Sequence, residues 1–311
     1  MKRNAKHRPQ RRGHLFIIGG AEDREEDKVV LTRLVEMAGG KDIRVAVLTA
    51  ASNYHEEMWT SYDQAFGDLG VDQRVAVHIE TRDDANDEAR AQAIYDADLV
   101  FMTGGDQKKL LALIGGTRID RAMHRALRER GACIAGTSAG ASAMSEHMLY
   151  DGARLDGGNS RRTVQISAGL GFMRRVVIDQ HFSERERLGR LLHVVAQNPY
   201  LLGAGIDENT ALIVEPGLGL EVVGEGSVTI LDGREMLSNF LEVERRERLE
   251  LTNVKLHLLP AGARYYFDGA QNHPQTQTSD GRSVPQALYD VVAAVASSPD
   301  TPLAATEPAA A

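Results

Sequence analysis

At 311 residues and 42% hydrophobic, the chain can bury one large core or two small ones. A net charge of −8 argues against general nucleic-acid binding, which needs a basic face. The single cysteine, Cys133, excludes an internal disulfide framework and any multi-cysteine metal site. No apolar run approaches the ~20 residues of a membrane span. Met1 to Arg12 is rich in Lys and Arg, but the apolar run Leu15–Ile18 that follows is too short for a secretory signal and ends in Gly19-Gly20. A cytoplasmic protein with a solvated basic tail is expected.

His14 to Ile18 reads as a first buried strand. Val29 to Ala38 has helical spacing, with Val30, Leu34 and Met37 on one face. A strand at Ile43–Leu48, a helix at Glu56–Leu69, a strand at Arg74–Ile79 and a helix at Asp87–Tyr95 follow. Leu99 to Met102 is a fourth strand, stopped by Gly104-Gly105. Helical stretches at Leu110–Ile114 and Ile119–Arg130 lead to the apolar run of Cys133-Ile134-Ala135, in which Cys133 reads as a small buried residue. Val176 to Ile178 reads as a later strand. After it, Ser183 and Glu186 have the spacing of a capping box, and Leu188, Leu191, Leu192 and Val195 the spacing of a helix with one buried face. Strands at Gly203–Ile206 and Thr210–Val214 flank Asp207-Glu208-Asn209. Leu220–Val223 and Val228–Leu231 are expected to form an antiparallel hairpin, whose apolar surface is a candidate homodimer contact.

Alternating strands and helices imply βαβ units and a mainly parallel sheet covered on both faces, an α/β three-layer sandwich. The division expected is a basic tail at 1–13, a single α/β domain at 14–270 and a weakly ordered tail at 271–311, where Pro, Gln, Thr, Ser and Ala dominate. In such sheets ligands sit outside the carboxyl ends of the strands. Those ends carry Gly19-Gly20, Thr49-Ala50-Ala51-Ser52, Thr103-Gly104-Gly105-Asp106-Gln107 and Gly136-Thr137-Ser138-Ala139-Gly140. The last is G-x-S-x-G, a tight strand-to-helix turn that lifts a serine hydroxyl clear of the sheet.

A serine needs a base, and the base needs a group to orient it. His181 stands at a strand end in a polar cluster and is the best candidate base. His124, His147, His193 and His257 fall in helical or strand patterns and read as surface or packing residues. For the orienting acid, Asp156, Asp151 and Glu208 all lie on loops able to approach, and spacing does not choose among them. Arg185, Arg187 and Arg190 lie near the helix start, where cations oppose the macrodipole. Beside a reactive serine, such guanidiniums suit a carboxylate-bearing substrate.

Gly104-Gly105-Asp106-Gln107, Gly136 to Ala141, Asp179-Gln180-His181-Phe182 with the three arginines, Gly205 to Ala211 and Gly19 to Glu22 together resemble the cyanophycinase family. These are serine exopeptidases related to dipeptidase E, with a flavodoxin-like sheet similar to the class I glutamine amidotransferases. The resemblance covers residues 14 to 232. It implies hydrolysis of cyanophycin, a polyaspartate carrying arginine in isopeptide linkage, to β-aspartyl-arginine. It implies Ser138 as nucleophile and His181 as general base. Asp156 aligns with the family's acid, usually a glutamate on the loop after the elbow. It also implies Gln107, Asp179, Gln180, Arg185, Arg187 and Arg190 as pocket residues.

Alongside it, the N–H groups of Ala139 and Gly105 are expected to hold the oxyanion. Asp179 or Glu208 is expected to meet the substrate guanidinium. No cofactor or metal is called for. An aspartyl dipeptidase of the dipeptidase E type, acting on short peptides, is the second reading. A serine rather than a cysteine at the elbow disfavours an amidotransferase, and the lack of an HGGG-type loop disfavours an esterase. A protein that only binds storage granules would not need both Ser138 and His181.

Overall fold

The computed structural model describes residues 13–151, 164–242, 249–266 and 284–297. Strand β1 (Leu15–Ile18) shows why the first apolar run is continuous. Leu15 and Ile17 face one core, Phe16 and Ile18 the other, and all four are buried. Side chains alternate along a strand, so a strand covered on both faces must be apolar at every position. The same logic holds for Val45 to Leu48 of β2 (Arg44–Leu48), which follows helix α1 (Val29–Ala38). Helix α2 (His55–Asp68) then leads to β3 (Gln73–Val77).

Two short helices come next, α3 (Arg82–Asn86) and α4 (Glu88–Asp96). Thr81 and Asp84 close a capping box on the first, and the Asp87 carboxylate accepts from Arg90 N–H on the second. Strand β4 (Leu99–Met102) is followed by α5 (Gln107–Ile114), whose first turn is capped by Asp106. Helix α6 (Arg118–Arg125) runs into a π-helical turn at Ala126–Arg130. Strand β5 (Cys133–Thr137) and helix α7 (Ala139–Ala143) then meet at Ser138.

Parallel pairing joins β3, β2, β4, β5 and β1 in that spatial order. Helices α1 and α2 cover one face, with Leu31, Leu34 and Phe66 against Phe16, Val47 and Phe101. Helices α4 to α7 cover the other. The expected α/β three-layer sandwich is present.

The second half adds a short pair, β6 (His147–Asp151) with β7 (Gln165–Ala168), and then β8 (Val176–Gln180) and α8 (Leu188–Gln197). Strands β9 (Leu202–Ile206), β10 (Thr210–Glu215), β11 (Gly219–Gly224) and β12 (Ser227–Asp232) follow. The strand β8 does not join the main sheet. It pairs parallel with β9, β9 antiparallel with β12, and β12 with β15 (Lys255–Pro260), after the short pair β13 (Leu237–Ser238) and β14 (Leu251–Thr252). Strands β10, β11 and β16 (Arg264–Tyr266) extend the main sheet antiparallel from β1.

The expected hairpin of Leu220–Val223 with Val228–Leu231 is therefore not formed. Strand β11 belongs to the main sheet and β12 to the second. The chain changes sheets at Gly224, φ +119, where a Cβ would sit 2.1 Å from the Asn209 carbonyl oxygen. Nor is that segment an exposed dimer surface, because Leu220, Val222, Val228 and Ile230 are all buried. The expected capping box is also absent. Helix α8 starts at Leu188, and Ser183 gives its N–H (3.1 Å) and hydroxyl (2.5 Å) to Asp207 instead. Within 271–311, expected to be weakly ordered, helix α9 (Gln286–Val295) buries Leu288, Val291, Val292 and Val295 in the main core.

Phe101 is fully buried, with ring centroids 4.6 Å from Tyr62 and 5.6 Å from Phe66. Phe101→Ala is expected to cost about 3–5 kcal/mol in urea unfolding, because the cavity between sheet and α2 cannot close.

Candidate active site

Strand β5 ends at Thr137, and the chain turns at Ser138 with φ 50 and ψ −109, a conformation rare outside glycine. Two close approaches leave no room for side chains around it. A Cβ on Gly136 would lie 2.4 Å from the Gly140 carbonyl carbon, and one on Gly140 would lie 2.5 Å from the Met102 carbonyl oxygen. The Ser138 N–H donates to the Ile18 carbonyl at 3.0 Å, and its carbonyl accepts from Ser142 at 3.0 Å. Ala139 is the first residue of α7, so its N–H has no acceptor within the helix. Gly105, φ +141, lies on the neighbouring β4–α5 loop, where a Cβ would collide with the Ala51 carbonyl at 2.2 Å.

His181 comes from the second sheet, one residue beyond β8, with φ 47. Its N–H donates to the Gly19 carbonyl at 2.8 Å. Its Nε2 lies 2.9 Å from Ser138 Oγ, and its Nδ1 lies 2.5 Å from Glu208 Oε1. With the Nδ1 proton donated to Glu208, Nε2 is left to accept from the serine hydroxyl. Glu208 sits in the turn between β9 and β10, where Asn209 adopts φ 45 and accepts through Oδ1 from Asp23 N–H at 2.9 Å.

The carboxylate at Nδ1 is thus Glu208, one of the three acids left open by spacing and the one also expected to meet substrate. Asp156, which the resemblance implies, lies outside the described residues. Asp151 is the last residue of β6. The Asp207-Glu208-Asn209 turn between two buried strands was the signal available for Glu208. That signal did not show that β9 pairs beside β8 and so brings the turn to His181.

The other expected pocket residues divide into two groups. Asp179 is fully buried and takes both Arg187 and Arg190. Arg187 Nη1 lies 3.1 Å from Oδ1, and Arg190 Nε lies 2.6 Å from Oδ2. Arg187 also donates to the backbone and side-chain oxygens of Gln180. Asp179, Gln180, Arg187 and Arg190 therefore hold one another, and Asp179 is not placed to receive a substrate guanidinium. Arg185 is exposed and has no ion-pair partner among the described residues. Gln107, half-buried at the start of α5, reaches the Leu149 carbonyl at 3.4 Å.

Electrostatics follow from this packing. Burial pushes the His181 imidazole below its ordinary value. The hydrogen bond to Glu208 opposes that shift, and the positive charges of Arg185 and Arg187 add to it. Burial likewise brings Arg187 down to about 10, against the pull of Asp179. Among the described residues no group of three or more His, Cys, Asp or Glu is arranged to hold a metal ion, and no helix is long and apolar enough to cross a membrane.

A serine on a strained strand-to-helix turn, bonded to a histidine that is bonded in turn to a carboxylate, is the arrangement of a serine-type hydrolase. The chain belongs to peptidase family S51, which its residues 15–218 match, and it is a serine-type peptidase. Its relatives include the cyanophycinase of Geminocystis herdmanii, 34% identical over 82% of this chain and 93% of that protein. The cyanophycinase of Synechococcus elongatus is 36% identical over 82% of this chain and 79% of its own length. Among solved structures, a peptidase from an acI-B1 Actinobacterium matches with a TM-score of 0.62 at 25% identity, covering 83% of this chain and 98% of the other.

Two measurements bear on the site. By NMR, the His181 imidazole is expected to titrate below an ordinary imidazole. Arg185→Gln should move the midpoint toward higher pH, because it removes a charge that disfavours the protonated ring. Asp179→Asn is expected to cost about 3–5 kcal/mol of stability in urea, because it leaves two guanidiniums without their buried counter-charge.

Proposed function

We propose that this peptidase hydrolyses cyanophycin to β-aspartyl-arginine, with Ser138, His181 and Glu208 as its catalytic triad. The observation that carries the reading is the continuous hydrogen-bonded path from Ser138 Oγ through the imidazole to Glu208. The curated relatives named cyanophycinase supply the substrate.

In this reading Ser138 Oγ attacks a backbone carbonyl of the polyaspartate while His181 Nε2 takes its proton. The oxyanion is held by the N–H of Ala139 and by that of Gly105. Collapse expels the amine, to which His181 returns the proton, and water then releases the acyl group by the same steps in reverse order. Glu208 fixes the tautomer and stabilises the imidazolium. Arg185 and Gln107 are left to contact the substrate, and an exposed guanidinium suits a free carboxylate.

Because the base must be neutral, activity is present above the His181 pKa and lost as pH falls through it. Burial lowers that pKa, so the acid limb of the rate profile lies below the range of an ordinary imidazole. The working unit is proposed to be one domain over 14–270, extended by α9, in a cytoplasmic enzyme.

The test is incubation of wild type and of Ser138→Ala with insoluble cyanophycin, with soluble products identified by mass. Release of β-aspartyl-arginine by wild type alone is expected. Folded wild type that releases nothing from the polymer yet cleaves short aspartyl peptides would move the substrate to that of a dipeptidase.

A further inference from the structure

A buried carboxylate beside the elbow has no part in the chemistry above. Glu22 is 3% exposed and forms no ion pair among the described residues. A carboxylate in such a place is costly unless its oxygens are satisfied. Glu22 accepts from the Tyr62 hydroxyl on Oε1 and from Thr137 Oγ1 on Oε2, the latter at 2.5 Å. Thr137 is itself buried and immediately precedes Ser138. Each oxygen of the Glu22 carboxyl group thus receives a hydroxyl donor.

The loop that carries Glu22 also fixes the other half of the site. The Gly19 carbonyl holds the His181 N–H, and the Gly20 carbonyl accepts from Asn209 N–H at 2.9 Å, next to Glu208. Gly20 packs so tightly on the imidazole that a Cβ there would lie 2.4 Å from Cε1. One short segment is therefore the common reference for the serine, the histidine and the acid.

We propose that Glu22 is a positioning residue for the nucleophile. Acting through Thr137 Oγ1, it anchors the last residue of β5 and so holds the strained Ser138 backbone in line with His181. A backbone at φ 50 persists only where its surroundings over-determine it. Releasing Thr137 frees the peptide between 137 and 138 to relax. The Ser138–His181 alignment then loosens without any change in the groups that contact substrate. The proposal rests on the reading of Ser138 as the nucleophile.

Its test uses Thr137→Val, which keeps shape and loses the hydroxyl, Thr137→Ser, which keeps the hydroxyl, and Glu22→Gln. The readouts are the rate of Ser138 modification by a fluorophosphonate per folded molecule, and kcat and KM on the polymer, both measured well below the unfolding transition. Thr137→Val and Glu22→Gln should each slow labelling and kcat by about tenfold or more with KM unchanged, since small misplacements of reacting groups carry such penalties. Thr137→Ser should restore both rates, and the double variant should be no slower than either single one. A lowered Tm with wild-type labelling would overturn the proposal, as would a Thr137→Ser as slow as Thr137→Val. If Glu22→Gln does not fold, the two Thr137 variants decide the matter. Wild type that fails to label at Ser138 would instead remove the nucleophile assignment, and the proposal with it.

Discussion

Two sheets meet at the site because two successive residues have no side chains. A Cβ on Gly19 would lie 1.9 Å from the Asp207 carbonyl oxygen, and one on Gly20 would overlap the His181 ring. With hydrogen there instead, the end of β1 lies directly against the ends of β8 and β9. The main sheet delivers Ser138 and the second delivers His181 and Glu208, so the Ser138–His181 hydrogen bond crosses the seam between them. A Cβ at 19 would press backbone against backbone, and one at 20 would push the imidazole out of its place between Ser138 and Glu208.

On the second sheet's side of that seam, buried polar groups fix how the segments after β8 and β9 are arranged. Asp207 accepts from the N–H and hydroxyl of both Ser183 and Ser227, which ties the segment after His181 to the start of β12. Asp179, Arg187 and Arg190 fold the residues after β8 back upon it. Fully satisfied networks of this kind restrict a segment to one arrangement, whereas a half-satisfied one would be a liability. Arg185 is left as the cation on this segment that faces solvent beside the imidazole.

Much of this could be read from residue order alone. Continuous apolar runs gave β1, β2, β4 and β5 of the main sheet, and Leu99–Met102 and Val29–Ala38 have the bounds read for them. The elbow was legible because G-x-S-x-G encodes backbone shape directly. Which sheet a strand joins was not legible, since Val176-Val177-Ile178 reads the same whether it pairs with β1 or with β9. That ambiguity turned β11 and β12 into a supposed hairpin and left the acid undecided among three loops. Arg187 and Arg190 looked free for substrate because sequence cannot reveal that Asp179, itself expected in the pocket, already holds both. Helix α9 was lost in the composition of its polar and alanine-rich flanks.

That last helix also bears on where the chain can be shortened. Helix α9 lies against β11, and the Gly217 N–H donates to the Ala296 carbonyl at 2.7 Å. A chain ended after Tyr266 would keep Ser138, His181 and Glu208 but uncover the faces of Leu220 and Val222 that Val291, Val292 and Val295 help to bury. Contiguous apolar surface of that kind drives self-association. Helix α9 thus covers apolar surface of the main sheet, and an affinity tag belongs after it rather than in its place.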